Sequence, residues 1–501
     1  MQINIKGNYL KYFCLIIFLL ITFHVAYYSP GYDDEFHNIR QFYEASINGS
    51  ISDYWYQANK DSVHPPGSYL ISFVGMYLLN DWAIVRLLKT IIVILVTYIS
   101  LIKLFPRLKS NKIDYAIIVI ITPSFLMYGS GLRWGGEFLA IYTLMVALDK
   151  FISLDKKYFF LVLFGLGFLL INVNYLGVIL FPLVILYHIY NLYKHSRKIL
   201  TSSIFFIIFG LSYSAKVLIS LLIGNTSSSQ IGNLFESLIG VGHGILVNWG
   251  VFPISIIGVS SALALFTAAI VVILNNYKKL KNDSIFWLIV TSILFMILSG
   301  LGIKFRNTLP LLPIIYGYFI HIIILNFQNY SKQVRNTLKV CLIPIIVSQI
   351  MGYYGVINHV NTAKGSWNLP VKNVSKFLIN KRSECDSVKI FLWDPVLEYN
   401  LWSDGFDVAT LSNVERFQRV NFNEECFFLV ETTSGSMGSF DFFKKKFQFG
   451  DPISVHGFDK FYAIKRKLLA DAPEYYVSIY KLDDNMLGEI GKYFLPTKYA
   501  R

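Results

Sequence analysis

A polytopic α-helical membrane protein with a small C-terminal extracytoplasmic α/β domain is the fold class that the sequence predicts, on three observations. Of 501 residues, 54% are hydrophobic and only 15% charged, with a mean hydropathy of +0.50. Soluble domains carry about 25% charged residues, so this chain is short of the groups that keep a surface wet. Apolar runs of the length a bilayer core demands, about 20 residues, recur over the first two thirds of the chain. After residue 360 the pattern turns to short β-like runs with polar breaks.

The first run, 9–28, has Lys6 and Lys11 at its start. It is longer than the core of a secretory signal and lacks a small-residue cleavage site, so it reads as a retained span. Further spans are expected at 83–105, 113–130, 133–149, 158–172, 175–191, 199–223, 249–275, 285–301, 308–327 and 338–358. Together these make about eleven transmembrane helices. The segment 66–80 is short for a span and reads as a juxtamembrane helix lying in the interface.

Charge bias supports that reading. If 66–80 does not cross, alternate loops collect the basic residues. These are Lys6 and Lys11; Lys103, Arg107, Lys109 and Lys112; Lys150, Lys156 and Lys157; Lys194, Arg197 and Lys198; Lys278, Lys279 and Lys281; and Lys332, Arg335 and Lys339. The positive-inside rule makes that side, and the N-terminus, cytoplasmic. The acidic loop 29–64, the Arg133–Glu137 turn, the Gly/Ser-rich loop 224–248 and the Lys304–Arg306 turn then share the external face. An odd number of spans exports the C-terminal region, giving a membrane domain over 1–360 and an external α/β domain over 361–501. Its β-like runs are 388–393, 426–430 and 461–464. Cys385 and Cys426 fall in this exported region, where a disulfide is chemically permitted. The composition, rich in Ile, Lys, Asn and Phe, points to a prokaryotic inner membrane. The net charge of +14 does not indicate nucleic acid as a partner, because the cations lie in short clusters between apolar runs.

Candidate chemistry gathers on the external face. Asp33, Asp34 and Glu35 stand together just past the first span, with His37 three residues after Asp34. Charged groups at a bilayer edge are costly to desolvate. Adjacent carboxylates raise one another's pKa, which suits a general base; the same residues also fit a solvated loop end or a helix N-cap. In Val63-His64-Pro65-Pro66-Gly67 the prolines fix an extended entry to the next helix, which can aim His64 at a ligand or simply start the helix. Arg133 and Glu137, one helical turn apart, can pair with each other, or Arg133 can reach an anion. Lys304 and Arg306 break the positive-inside trend on the external face, where an anionic headgroup or a phosphate is the natural partner.

Asp34-Glu35-Phe36-His37 followed by Val63-His64-Pro65-Pro66-Gly67 resembles the first external loop of protein O-mannosyltransferases. In broader form, an acidic pair before a Pro-Pro juxtamembrane helix, it is similar to the aminoarabinose transferases of lipid A. Both belong to the GT-C superfamily of membrane glycosyltransferases. The Arg133/Glu137 turn, Asn174-Tyr175-Leu176-Gly177 with Phe181-Pro182, and Lys304-Phe305-Arg306 with Pro310 and Pro313 are similar to weaker family features. The C-terminal region shows no β-trefoil repeat of the eukaryotic mannosyltransferases.

The resemblance implies transfer of a sugar, with inversion, from a polyprenyl-phosphate donor to a lipid, glycan or protein acceptor. Asp34 would be the base, with Glu35 beside it in the catalytic pair. Asp33, His37, His64, Arg133, Glu137, Lys304 and Arg306 would bind substrate. No cofactor is required; Asp33 and Asp34 could bind a divalent cation, but no second acidic cluster follows on the external side. Membrane lipids are the remaining partner. Two other functions compete, an O-antigen-type polymerase and a lipid-linked glycan transporter or flippase. A transporter would carry functional charges in mid-span and paired broken helices, and no inverted repeat is evident.

Overall fold

The computed structural model describes residues 5–28, 74–75, 78–79, 82–109, 113–130, 135–156, 158–194, 201–223, 234–246, 256–299, 305–382, 387–392, 401, 405–410, 425–432, 454–458 and 475–482. They fall into two units, a helical one of Met1–Tyr27 and Ala45–Ile357 and a mixed one of Tyr28–Glu44 and Asn358–Arg501.

The helical unit opens with α1 (Ile5–Tyr28), α2 (Trp82–Leu104), the short α3 (Tyr115–Ile120), α4 (Gly135–Val146), α5 (Phe159–Val173) and α6 (Gly177–Lys194). It continues through α7 (Thr201–Ile223), α8 (Leu234–Leu246), α9 (Ile256–Leu280), α10 (Ser284–Leu298), α11 (Leu312–Asn326) and α12 (Lys332–Lys381). Among the described residues, five helical stretches are long and apolar enough to cross a membrane: Ala83–Leu104, Gly177–Lys194, Ile257–Leu280, Leu312–Asn329 and Lys332–Ile357. Leu88, Ile92, Leu95 and Ile99 of α2 remain exposed, spaced as one stripe of the helix, which is how a bilayer-facing surface looks without its lipid. The chain is an integral, polytopic membrane protein.

Three segments differ from the sequence expectation. The span expected at 113–130 is broken. α3 stops at Ile120, and a single wide turn, Phe125–Gly129, follows Pro123. Proline has no N–H to continue the ladder. Two side chains satisfy the groups this frees: Thr122 Oγ1 accepts the Phe125 N–H at 3.2 Å, and the Tyr353 hydroxyl of α12 donates to the Ile121 carbonyl. The loop expected at 224–248 contains α8. Its three glycines at 240, 242 and 244 argue against a helix on propensity. Packing overrides them: Gly240, Val241 and Gly244 are buried, and α8 packs on α10 and on the tight turn Phe305–Thr308. The last span, expected at 338–358, belongs to a 50-residue helix. The interface helix expected at 66–80 lies largely outside the described residues.

At one end, polar side chains cross-link the turns. Lys194 donates to the Asn282 carbonyl at 3.1 Å, Lys279 to Asn326 Oδ1 at 2.8 Å, and Asn276 to the Tyr330 hydroxyl at 2.7 Å. Asp283 caps α10, accepting from the Ile285 N–H at 3.0 Å and from the Tyr318 hydroxyl at 2.9 Å. Lys103, Lys150, Lys194, Lys278, Lys279 and Lys332 all lie at or beside helix termini of this end.

The second unit is a five-stranded sheet of order β2-β1-β3-β5-β4. Its strands are β1 (Ser387–Leu392), β2 (Asp407–Thr410), β3 (Glu425–Thr432), β4 (Ser454–Phe458) and β5 (Tyr475–Leu482). β1 pairs in parallel with β2 and β3, and β5 runs antiparallel to β3 and β4. Val374 and Leu378 of α12 pack with Val388, Ile390, Leu401, Phe406, Phe428 and Ile479 into one core on one face of the sheet. Arg382 closes the helix end. Its guanidinium lies 4.0 Å from the centroid of the Phe406 ring and donates to the Gly405 carbonyl at 2.6 Å. Gly405 has φ +80°, which suits a residue without Cβ. Cys426 is disulfide-bonded, whereas Cys341 in α12 is free and buried. Cys385 and the run 461–464 lie outside the described residues.

Candidate functional site

α1 ends at Tyr28, just before the acidic triplet in sequence, and α2 begins at Trp82, after the Pro-Pro segment. Asp33, Asp34, Glu35, His37, His64, Arg133 and Lys304 lie outside the described residues. For Arg306 the backbone alone is described, in the tight turn that precedes α11.

Glu137 is described in full, and its surroundings were not expected. It sits in the first turn of α4, 5% exposed, and its Oε2 lies 2.7 Å from the Nζ of Lys89, itself 2% exposed. The sequence offered Arg133, one turn away, as its partner. The fold supplies Lys89 from α2 because α2 and α4 pack side by side. Two glycines make that approach close. Gly135 and Gly136 are buried at the start of α4, and a Cβ on Gly136 would stand 2.3 Å from the Gly129 carbonyl oxygen. Thr90 ties α2 to the same region by donating to the Ser130 carbonyl at 3.2 Å.

One turn before Lys89, Arg86 is 1% exposed, and its Nη1 reaches toward the Ala26 carbonyl of α1 at 3.5 Å. Two cations and one carboxylate are therefore buried at the end of the bundle from which the first loop leaves. Arg86 and Lys89 were not singled out from sequence, although a signal was present. Two cations three residues apart within a predicted span share a helix face, and ionisable groups inside spans are rarely idle.

Among the described residues, no group of three or more His, Cys, Asp or Glu gathers as metal ligands would. Asn174 organises the α5–α6 turn, accepting the Leu176 N–H at 2.8 Å, and Gly177 follows where a Cβ would meet the Leu170 backbone at 2.8 Å.

ArnT from Cupriavidus metallidurans in the apo state matches over 93% of this chain and 97% of its own, with a TM-score of 0.50 and 12% identity. ArnT bound to undecaprenyl phosphate matches at TM-score 0.49 and 11% identity, over 93% and 98% of the two chains. The arabinofuranosyltransferase AftD from Mycobacteria matches at TM-score 0.32 and 12% identity, over 75% of this chain and 29% of AftD. No protein-family model matches the chain, and no curated protein matches it in sequence. At these identities the likeness is one of fold.

Proposed function

We propose that the protein is an inverting glycosyltransferase that moves a sugar from a polyprenyl-phosphate donor to a lipid, glycan or protein acceptor at the extracytoplasmic face. The observation that carries the reading is the GT-C fold along nearly the whole chain, joined to a first loop with Asp34-Glu35 and His64-Pro65-Pro66. In this reading Asp34 accepts the proton of the acceptor hydroxyl as its oxygen attacks the anomeric carbon. The bond from that carbon to the phosphate oxygen breaks, and the phosphate leaves with the electron pair. Phosphate is already a good leaving group, so no strong acid is needed, unlike in a glycosidase. Glu35, Asp33, His37 and His64 orient the substrates. Arg133, Lys304 and Arg306 offset the charge of the departing phosphate.

The disulfide at Cys426 supports an extracytoplasmic second unit, since disulfides persist in oxidising compartments. The N-terminus is then cytoplasmic, in a prokaryotic inner membrane. Radiolabelled sugar transfer from polyprenyl-phosphate donors, in membranes carrying wild type or Asp34→Asn, tests the reading. Label should reach an acceptor with wild type and fall by at least about a hundredfold in the variant, the scale of general-base catalysis. Equal transfer by a well-folded variant removes Asp34 from the mechanism.

A further inference from the structure

Between Asp283 and Glu384 the sequence holds no acidic residue, yet Lys332, Arg335 and Lys339 stand together near the start of α12. Lys332 and Lys339 are exposed and Arg335 is half-buried. Among the described residues none of the three forms an ion pair. In another basic turn of the helical unit, by contrast, Lys150 is held by Asp149 at 2.9 Å. The carboxylate of the α9–α10 turn, Asp283, is taken up by the Ile285 N–H at 3.0 Å and the Tyr318 hydroxyl at 2.9 Å.

The start of a helix carries positive partial charge, so cations there are unfavourable and an anion is favoured. Ser331 caps α12 by accepting the Val334 N–H at 3.2 Å, and the Lys332 and Gln333 N–H groups have no partner within the helix. Positions 332, 335 and 339 recur at helical spacing and share one face. That stripe continues with Ile343, Ile346 and Ile350, which are 63%, 53% and 61% exposed. The other side of α12 faces the bundle: Leu338, Cys341 and Ser348 are buried there, and Ser348 donates to Ser261 of α9 at 2.8 Å. The stretch Lys332–Ile357 is long and apolar enough to cross the membrane, so the stripe meets lipid, with its first cations at headgroup level. Lys339 leaves the helix about 10 Å deeper than Lys332, and a lysine stem can return its ammonium toward the headgroups. The end of α9 adjoins this start, held by Asn276, which donates to the Tyr330 hydroxyl at 2.7 Å. There Lys278 repeats the pattern, exposed one turn beyond the exposed Leu274.

We infer that the stripe at the start of α12 is a binding site for an anionic phospholipid carrying two phosphates. The phosphates meet Lys332, Arg335 and Lys339, and the acyl chains lie along Ile343, Ile346 and Ile350. Three cations on one face suit two phosphates on one molecule, and the apolar continuation selects an amphiphile over a free anion. The site is independent of the transferase reading and shares no residue with it.

The test places the full-length protein in nanodiscs of phosphatidylcholine, with or without cardiolipin. Hydrogen exchange at residues 332–340 should slow at least about threefold with cardiolipin and stay unchanged in α2. Lipid extracted from the detergent-purified protein should be enriched in cardiolipin. That enrichment should fall at least about tenfold in the triple variant Lys332→Gln/Arg335→Gln/Lys339→Gln. Lys109→Gln/Lys150→Gln/Lys156→Gln removes the same charge from other turns and should keep the enrichment. Equal exchange in the two bilayers, or equal loss of cardiolipin from both triple variants, would overturn the site. Equal protection by inorganic phosphate in phosphatidylcholine alone would overturn the lipid assignment and leave a soluble anion in its place. The exchange comparison uses wild type, so it decides the question even if the first triple variant misfolds.

Discussion

Neutralising either partner of the Lys89–Glu137 pair should unfold the bundle more readily than neutralising both. At 2.7 Å, two unit charges attract by about 6 kcal/mol in an effective dielectric of about 20. Desolvating each ion costs several kcal/mol, so the intact pair contributes little net stability. Glu137→Gln, however, leaves a 2%-exposed ammonium without that carboxylate, and Lys89→Met leaves a 5%-exposed carboxylate without its ammonium. Each single change should cost about 3–5 kcal/mol. The double variant should recover to within about 1–2 kcal/mol of wild type, a coupling of about 4 kcal/mol or more. Thermal denaturation in detergent, followed by tryptophan fluorescence, reads the four proteins side by side. Single variants that melt within about 1 °C of wild type, or a double variant as unstable as the two losses added, would refute the argument. Transfer activity in the same four proteins separates roles: a stable, inactive double variant makes Glu137 or Lys89 part of the site as well as of the scaffold.

Gly136→Ala would drive a methyl group to 2.3 Å from the Gly129 carbonyl oxygen and should destabilise the packing of α4 on the wide turn Phe125–Gly129 by about 1–3 kcal/mol, measured as a lowered melting point. Tyr353→Phe removes the hydroxyl that donates to the Ile121 carbonyl at the α3 break; leaving that acceptor unsatisfied inside the bundle should cost about 1–3 kcal/mol in the same assay. Arg382→Lys keeps the charge but loses the flat stacking on Phe406, and should speed hydrogen exchange in β2 about three- to tenfold while leaving α2 unaffected.

The membrane class was legible because hydropathy over about 20 residues is a property of one contiguous segment. The helices α2, α6, α9 and α11 were readable for that reason, and so was the gathering of lysines at one set of helix ends. What sequence could not supply was tertiary. Glu137 has a plausible local partner in Arg133, and only the packing of α2 on α4 brings Lys89 to it. α8 was hidden by its glycines, whose low propensity is offset by burial against α10 and the Phe305–Thr308 turn. The break after α3 was signalled by Thr122-Pro123, but an apolar run on both sides masked it. The first-loop motif carried the fold assignment, because the order of its acidic, histidine and proline residues is unusual at a membrane edge.

Burial of Arg86 and Lys89 also bears on how the chain is made. A helix carrying two cations enters the bilayer less readily, by about 2.5–3.5 kcal/mol for each cation that reaches the midplane. α2 is synthesised well before α4, so Lys89 leaves the ribosome before the carboxylate it will meet. Until α4 arrives, the long stems of both cations can reach back to the headgroups and keep their charges wet. The step that carries Lys89 into the protein interior is therefore the docking of α4, and membrane integration of α2 finishes only when that polar contact is assembled.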